Sequence, residues 1–270
     1  MLNLFLILFF IFGTLIGSFL NVIIFRLNTG KGIGGRSMCM NCGKTLHSHE
    51  LVPIFSYIFQ LGKCRGCKAK VSIQYPIVEA ITGFVSGVLA AKIGVLNILT
   101  DQMSLLYFLA AFSFFSIFIA IAVYDFRHKI IPPSLSNLAT IVAFLVLVLG
   151  FSSNTIVLKA FLDSFYGGLI GFLPFAGLYF ISNGKWMGFG DARLGLAGGI
   201  ILGKVTMLMA LMYSFWVGAI VTLFILLIKG KKITMNTEIP FGPYLTLGIF
   251  IAFVLSRTNL DLAKVLFLNY

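Results

Sequence analysis

The chain has 270 residues, of which 59% are hydrophobic and only 10% are charged, and its mean hydropathy is +1.04. An ordinary soluble domain is about 25% charged, so this composition excludes a soluble enzyme and a disordered chain. The formal net charge of +12 is compatible with nucleic-acid binding, but membrane proteins also carry excess Lys and Arg on one side of the bilayer. The positions of the charges therefore decide between these two classes.

Several stretches of the sequence are long and apolar enough to cross a bilayer, which takes a helix of ~20 residues. Five of them contain no Asp, Glu, Lys or Arg: residues 1–25, 102–124, 164–184, 205–228 and 239–256. Three more are shorter or carry charges near their ends: residues 77–95, 134–150 and 192–203. We therefore predict an all-α polytopic membrane protein with about eight transmembrane helices.

The basic residues predict the orientation of these spans, because Lys and Arg accumulate in cytoplasmic loops. Arg26, Lys31 and Arg36 follow the first span, which places residues 26–76 in the cytoplasm. With eight alternating spans, cytoplasmic loops hold 15 of the 20 basic residues. The net charge is thus explained by orientation in a plasma or inner membrane and by contact with anionic lipid. Nucleic acid is not required as a partner.

Residues 26–76 form the only long polar stretch, and they contain all four cysteines as two C-x-x-C pairs separated by 21 residues. The pairs are Cys39/Cys42 and Cys64/Cys67. This spacing is close to that of four-thiolate zinc sites, and a reducing compartment disfavours the alternative of disulfides or redox-active thiols. We predict a small cytoplasmic domain held by structural zinc, with His47 or His49 as alternative ligands.

The chain has only eight acidic residues, so each can be assigned a place. Five lie in polar loops or toward the outer face: Glu50, Asp101, Asp163, Glu238 and Asp261. Glu79, Asp125 and Asp191 remain at cytoplasmic membrane boundaries. Glu79 follows Pro76 in the predicted first turn of its span, where the helix dipole favours a carboxylate, so a structural role accounts for it.

Asp125 and Asp191 are predicted to lie at the same depth. Asp125 ends a span that runs inward, and Asp191 begins a span that leaves the same side. Carboxylates within a membrane are costly and indicate function. The structural alternative is a set of ion pairs at the membrane boundary, with partners Arg127, Lys185 and Arg193.

The residues before Asp191 favour a functional site. Gly188 and Gly190 lack side chains, which loosens the start of the helix and lets another backbone come close, as peptide binding requires. Two adjacent carboxylates share one proton because both cannot ionise. One carboxylate can then activate a water as a base while the other protonates a carbonyl oxygen as an acid.

At these residues the chain resembles the type 4 prepilin peptidase family, the bifunctional membrane aspartic proteases of the G-x-G-D class. The matching motifs are Gly17-Ser18-Phe19-Leu20-Asn21, the paired C-x-x-C loop, Tyr75-Pro76 with Glu79, Asp125-Phe126-Arg127, Gly188-Phe189-Gly190-Asp191 and Pro240-Phe241-Gly242-Pro243. The chain departs from the family at Pro133, where Asp is common, and at Arg193, where Lys is common. Neither departure removes a proposed catalytic group.

The resemblance implies that Asp125 and Asp191 are the catalytic pair, with Gly188 and Gly190 supporting them and Glu79 as a candidate participant. The implied activity is removal of the basic leader from type IV prepilins or pseudopilins at the cytoplasmic membrane face. In many members N-methylation of the new terminus with S-adenosylmethionine follows. The sequence itself gives no independent support for methylation and leaves the oligomeric state open.

The corresponding domain organisation has four parts. They are a first transmembrane helix (1–25), the zinc domain (26–76), a transmembrane catalytic domain (77–256) and an extracytoplasmic tail (257–270). The main rival interpretation is a transporter or channel that uses Glu79, Asp125 and Asp191 as a cation or proton path. Its weakness is that transport sites lie near the midplane, often within inverted repeats. A third interpretation makes the zinc domain a docking module that the spans merely anchor.

Overall fold

The computed structural model describes residues 2–30, 32, 34–150, 157–229 and 240–256. These residues form nine α-helices and one 3-10 turn, Ser48–Glu50, and two isolated β-bridges are their only extended pairing. The helices are α1 Leu2–Arg26, α2 Phe55–Phe59, α3 Gln74–Ile93, α4 Val95–Thr100, α5 Gln102–His128, α6 Pro133–Gly150, α7 Val157–Ser182, α8 Phe189–Lys229 and α9 Gly242–Leu255. The predicted tail 257–270 and most of the basic loop 229–238 lie outside the described residues.

Hydropathy and length identify the membrane-crossing helices. Five helices are long and apolar enough to cross a bilayer: α1, α3, α5, α7 and α8. Two shorter apolar helices, α6 and α9, accompany them, and the backbone of α8 is broken at Gly203 (φ 74°, ψ 174°). The two parts of α8 correspond to the predicted spans 192–203 and 205–228. The all-α polytopic fold class is therefore confirmed within the described part of the chain.

The chain divides into two compact units, Met1–Leu96 and Asn97–Tyr270. In the first unit, α1 and α3 pack antiparallel with their backbones nearly in contact. A Cβ atom on Gly13 would lie 2.7 Å from the Cα of Gly83, and one on Gly17 would lie 2.8 Å from the Cα of Glu79. Small residues permit this approach, which is how helices associate in a bilayer that offers no hydrophobic driving force.

In the second unit, α7 and α8 form the closest helix pair, along a line of glycines that we call the glycine ridge. The ridge consists of Gly167 and Gly171 on α7 and of Gly195, Gly199 and Gly203 on α8. A Cβ on Gly171 would clash with the carbonyl oxygen of Gly195, and one on Gly167 would clash with that of Gly199. The backbones therefore meet directly, and any side chain on the ridge would separate them.

The remaining helices of the second unit join α5 to α8. Both α6 and α9 pack against α5 and against α8. A Cβ on Gly198 of α8 would lie only 2.4 Å from the Cδ1 atom of Ile249, so the Ile249 side chain fills the space beside that glycine. This arrangement brings the C-terminal end of α5 and the N-terminal end of α8 into one layer, where the two predicted catalytic aspartates lie.

Candidate active site and candidate metal centre

Asp125 lies in the last turn of α5 and is 4% exposed. The helix ends at Lys129, which adopts a left-handed conformation (φ 54°) and donates its N–H to the carbonyl oxygen of Asp125. The Asp125 carboxylate accepts a 3.1 Å hydrogen bond from the backbone N–H of Gly242. Gly242 opens α9, and the first N–H groups of a helix have no acceptor within it. The start of α9 therefore fixes the orientation of the Asp125 carboxylate.

Asp191 is the third residue of α8 and is 7% exposed. Its backbone N–H bonds to the carbonyl oxygen of Gly188, and the helix N-terminus favours a carboxylate at this position. Its Oδ1 is buried and has no hydrogen-bond partner among the described residues. A buried acceptor of this kind is costly unless a proton, a water or a substrate satisfies it. The site thus presents one carboxylate oxygen that is ready to accept a reacting group.

The structure brings the two predicted aspartates close enough for their carboxyl groups to interact electrostatically. Neither carboxylate forms an ion pair with any described residue. The guanidinium of Arg193 instead lies 5.2 Å from the centroid of the Phe189 ring. The alternative of ion pairs at the membrane boundary is therefore wrong for these two aspartates within the described part of the chain. Two carboxylates that lie close together in a buried site repel each other when both are ionised, and a proton on one of them removes that repulsion.

Gly190 packs the start of α8 against the loop that follows α5. A Cβ on Gly190 would lie 2.5 Å from the Cβ of Ile131. The group that comes close to this glycine is the side chain of Ile131, six residues after Asp125, and not the backbone that the sequence predicted. Gly188 is less confined, since its nearest side-chain atom is the Asp191 Oδ2 at 3.7 Å from a built Cβ. Gly190 lets the start of α8, which carries Asp191, pack closely against the loop that follows Asp125. Gly188 leaves open space beside Asp191.

An open apolar groove of about 630 Å³ lies next to this site, between the second part of α8 and the start of α9. We call it the α8–α9 groove, and its lining is Phe215, Gly218, Ala219, Thr222, Leu223, Phe241 and Tyr244. Phe241 and Tyr244 flank Gly242, the residue that bonds to Asp125. The groove therefore ends beside the carboxylate site.

Glu79 lies in the first unit, whereas Asp125 and Asp191 lie in the second. The prediction that Glu79 occupies the first turn of its helix is wrong, because α3 begins at Gln74 and Glu79 falls in the second turn. Pro76 does not prevent this earlier start, since a proline is tolerated within the first helical turn. Glu79 is buried and accepts a 2.7 Å hydrogen bond from the N–H of Ile54. Its position is therefore stabilised by a specific partner rather than by the helix dipole alone.

The four cysteines form one cluster, in which all Sγ atoms lie within 4.8 Å of one another. The four thiols are free, and the Sγ atoms of Cys39 and Cys67 are 3.8 Å apart. Sulfurs at about 2.3 Å from one tetrahedral zinc ion are separated by ~3.8 Å. The cluster can therefore hold a tetrahedral metal ion, and it leaves no ligand position for a water.

The cluster is built from two equivalent turns that are 25 positions apart along the chain. In the first, the N–H of Cys39 bonds to the Lys44 carbonyl; in the second, the N–H of Cys64 bonds to the Ala69 carbonyl. The bridges Met38–Thr45 and Lys63–Lys70 close the same two turns. Each turn uses a left-handed residue directly after its second cysteine: Gly43 (φ 69°) and Lys68 (φ 60°). The sequence analysis noted the C-x-x-C pairs but missed this repeat.

Hydrogen bonds to the Cys67 sulfur favour its thiolate form. The side-chain amide of Asn41 donates to the Cys67 Sγ at 3.5 Å and, together with the Ala69 N–H, lowers the pKa of Cys67 to about 6. Ligands bind metal as thiolates, so a lowered pKa favours binding. His47 and His49 stack on each other with ring centroids 5.6 Å apart and are not members of the metal-binding cluster. The cysteines are thus the better ligand set.

The sequence analysis also missed the role of Gly242. The Pro240-Phe241-Gly242-Pro243 motif was noted only as part of a resemblance. A glycine followed by a proline marks the start of a helix with free N–H donors. That signal identifies a candidate anion-binding end, but it does not reveal which carboxylate, 117 positions away, would occupy it.

Comparisons with known proteins agree with this geometry. Two family models match the chain: the Bacterial Peptidase A24 N-terminal domain over residues 11–93 and the Type IV leader peptidase family over residues 112–223. A Bacillus subtilis (strain 168) protein named prepilin leader peptidase/N-methyltransferase is 30% identical over 250 residues, covering 91% of this chain and 92% of that protein. No solved structure gives a significant match.

Two further relatives carry the same name. The Stutzerimonas stutzeri protein is 28% identical over 271 residues, covering 90% of this chain and 88% of its own length. The Pseudomonas aeruginosa protein is 29% identical over 288 residues, covering 93% of this chain and 92% of its own length. The similarity therefore extends over nearly the whole of each chain.

Proposed function

This chain belongs to the type IV leader peptidase family and is a multi-span membrane peptidase, and we propose that it removes the basic leader from type IV prepilins or pseudopilins. We place the reaction at the cytoplasmic face of the plasma or inner membrane. Support for this side comes from the 15 of 20 basic residues that the eight-span topology assigns to cytoplasmic loops.

The observation that carries the proposal is the pair of buried carboxylates, Asp125 and Asp191, which lie within electrostatic range of each other and have no counter-ion among the described residues. They occupy the last turn of α5 and the first turn of α8, close to the ends of membrane-crossing helices. This depth favours a peptidase over a transporter, whose ion sites lie near the midplane. A prepilin whose hydrophobic helix lies in the bilayer would offer its scissile bond at the same depth.

We assign Asp125 and Asp191 to acid–base catalysis of peptide hydrolysis. The ionised carboxylate takes a proton from a water molecule, whose oxygen then bonds to the scissile carbonyl carbon. The protonated carboxyl gives its proton to the carbonyl oxygen, which produces a neutral tetrahedral intermediate. The carboxyl that took the water's proton then gives it to the amide nitrogen while the other carboxylate takes a proton from a hydroxyl group of the intermediate. The C–N bond breaks, a carboxylic acid and a new amino terminus are left, and both aspartates return to their starting states. Because the two groups titrate together, neither role is assigned to one residue.

The surroundings of the carboxylates suit this chemistry. The Gly242 N–H holds the Asp125 carboxylate in one orientation, and the free Oδ1 of Asp191 is available to a water or to the carbonyl group. Preorganised groups of this kind lower the barrier because they do not have to reorient during the reaction. The α8–α9 groove is apolar and ends beside Gly242. It is therefore a suitable surface for the hydrophobic helix of the substrate.

We propose that Cys39, Cys42, Cys64 and Cys67 hold a structural zinc ion. The Sγ atoms of Cys39 and Cys67 lie 3.8 Å apart, and four cysteines are available as ligands. Both observations support a zinc site over a disulfide. A tetrahedral ion with four thiolates would supply folding free energy to this small domain. Because no coordination position stays open, the metal would take no part in the cleavage reaction.

The relatives' names also include an N-methyltransferase activity, for which the resemblance implies S-adenosylmethionine. The described residues do not fit this cofactor. They contain no strand–turn–helix nucleotide fold, and the α8–α9 groove is lined almost entirely by apolar side chains. The amino and carboxylate groups of the cofactor would need charged or polar partners. We therefore derive no methyl-transfer step from these residues.

The test replaces each carboxylate by its isosteric amide. Asp125→Asn and Asp191→Asn should each reduce cleavage of a purified prepilin by at least about 100-fold, because a general acid or base is lost. Asp163→Asn is the matched control, since Asp163 pairs with Lys204 and lies outside the site. All three variants should retain wild-type yield and thermal stability. Substantial residual cleavage by either site variant would overturn the assignment.

A further inference from the structure

The polar domain between α1 and α3 exposes an unusual number of apolar side chains in one short segment, residues 51–61. Its exposed members are Leu51, Val52, Phe55, Ile58, Phe59 and Leu61. Phe59 is 77% exposed and Leu61 is 83% exposed. Phe55 and Phe59 stack on one side of α2 with ring centroids 6.5 Å apart. A contiguous apolar patch of this kind is unfavourable in water and indicates a contact surface.

A direct hydrogen bond fixes the position of this segment along the membrane-crossing helix α3. The N–H of Ile54 donates to Glu79 at 2.7 Å, and Glu79 is the sixth residue of the membrane-crossing helix α3. With a rise of about 1.5 Å per residue, Glu79 lies ~7.5 Å along α3 from its first residue, Gln74. The start of α2 therefore lies beside the first turns of α3. We take this level as the place where the polypeptide enters the lipid, because α3 is long and apolar enough to cross the bilayer.

Contacts between α1 and α3 place the end of α1 beside the start of α3. The side-chain amide of Asn21, near the end of α1, donates to the carbonyl oxygen of Tyr75 at 3.2 Å. The rings of Phe25 and Tyr75 stack 4.9 Å apart. Aromatic side chains of this type are common at the boundary between lipid and water. Ile54 and Phe55 are thus held next to a boundary that α1 and α3 both define.

The charge of the domain fits an anionic membrane surface. Residues 26–76 contain eight basic residues and a single acidic residue, Glu50, which pairs with Lys44. The exposed basic side chains Lys63, Arg65, Lys68 and Lys70 directly follow the apolar segment. Basic side chains next to an anionic leaflet are attracted to its phosphate groups. An apolar segment followed by basic residues is typical of chains that lie in the plane of the interface.

From these observations we propose that residues 51–61 form an interfacial anchor, in which Phe55, Ile58, Phe59 and Leu61 enter the region between lipid head groups and acyl chains. The following basic residues would contact anionic lipid phosphates. Lipid is the occupant that the geometry favours, because the Ile54–Glu79 hydrogen bond already places the segment at the lipid boundary. A second copy of the chain or a protein substrate would have to displace that lipid. The anchor is independent of the proposed peptidase activity.

Tryptophan fluorescence of the full-length protein in nanodiscs tests this proposal. The discs contain phosphatidylethanolamine and phosphatidylglycerol, with or without bromine on the acyl chains. The chain has two tryptophans, so Trp186→Phe and Trp216→Phe provide the background. Phe59→Trp then reports on the anchor, and Met40→Trp is the matched control. Met40 is 69% exposed in the same domain but lies between the metal-binding cysteines.

For Phe59→Trp we expect the brominated lipid to reduce the emission by about half or more, with little quenching by aqueous iodide. The Met40→Trp control should show the reverse pattern. Equal iodide quenching of both variants would overturn the proposal. Protection of Phe59→Trp from both quenchers would also overturn it, because the segment would then be covered by protein.

The lipid charge provides a second measurement. Replacing phosphatidylglycerol by phosphatidylcholine should weaken bromine quenching of Phe59→Trp, because the basic residues lose their anionic partners. Lys63→Gln combined with Arg65→Gln should weaken the quenching in the original discs in the same direction. Quenching that is unaffected by both changes would contradict the electrostatic part of the proposal.

Discussion

The backbone N–H of Gly242 donates to the Asp125 carboxylate across 117 positions of the chain, and a Cβ at residue 242 would lie 2.6 Å from that same carboxylate oxygen. Gly242→Ala should therefore displace Asp125 and reduce prepilin cleavage by about 100-fold, as a misplacement of this size does in other active sites. Gly177→Ala is the control, because a Cβ there meets nothing within 4 Å. Equal activity of the two variants would refute the positioning role of Gly242.

A substitution that fills the α8–α9 groove should weaken binding of the substrate without affecting the cleavage step. Ala219→Trp should fill the groove and raise KM for a full-length prepilin about tenfold, while cleavage of a short leader peptide without the hydrophobic helix should be unaffected. Ile220→Trp, at an exposed neighbouring position outside the groove, is the matched control. Loss of activity toward both substrates would indicate general damage and would contradict a helix-binding groove.

The glycine ridge predicts a large and local loss of stability. Gly195→Val would push apart α7 and α8 at the point where Gly195 meets the Gly171 carbonyl. We expect a loss of about 3 kcal/mol or more, since overpacking a contact between backbones cannot be relieved by a change of rotamer. Thermal unfolding in detergent measures the effect, and Gly177→Val on the open side of α7 should stay near the wild type. A stable Gly195→Val protein would mean that the ridge can open.

The repeat in the cysteine domain predicts a stabilising substitution. Lys68 occupies the left-handed position that Gly43 occupies in the other turn. Lys68→Gly should therefore stabilise the domain by about 1 kcal/mol, and Gly43→Ala should destabilise it by a similar amount. The rate of metal release to a chelator measures both effects. Lys68→Ala removes the charge but keeps the strained backbone, so a release rate as slow as that of Lys68→Gly would disprove the backbone explanation.

The helix that carries Asp125 begins with a pH-dependent cap. Asp101 accepts a hydrogen bond from the Ser104 N–H at 2.7 Å, and its bonds with Ser104 lower the pKa of its carboxyl. A lowered folded-state pKa means that the stabilisation is present above the unfolded pKa of about 3.9 and is lost as the pH falls through the folded value.

Asp101→Asn keeps an acceptor at this cap but does not titrate. The difference in unfolding temperature between wild type and Asp101→Asn should therefore shrink between neutral pH and pH values below the folded pKa of Asp101. The measurement is thermal unfolding of both proteins across that range. A difference that does not vary with pH would show that the carboxylate contributes nothing at the cap.

Hydropathy predicted the helical architecture well, because the bilayer fixes the length of each span. The predicted boundary between residues 203 and 205 coincides with the break of α8 at Gly203. Asp125 and Asp191 also lie within range of electrostatic interaction, as their predicted convergence requires. Alternation of spans predicted the common depth of these two helix ends, but not which helices pack side by side there.

Contacts between distant segments could not be predicted. The partner of Glu79 is a backbone N–H in a polar loop, and no periodicity connects Ile54 with α3. The expected first-turn position of Glu79 was wrong because α3 starts before Pro76, which hydropathy does not record. Asp125 likewise meets Gly242 through packing of α9 on α5. Such contacts depend on how helix surfaces fit together rather than on the composition of each helix.

The glycine ridge has a consequence for tolerance to change. Asp191 lies one helical turn before Gly195, so its place is set by main chain touching main chain. This backbone contact needs only that the ridge positions stay glycine. A contact made by interlocking side chains would instead require compensating substitutions on both helices. The lipid-facing residues of α7 and α8 are therefore free to diverge among descendants of this protein while the geometry around Asp191 persists.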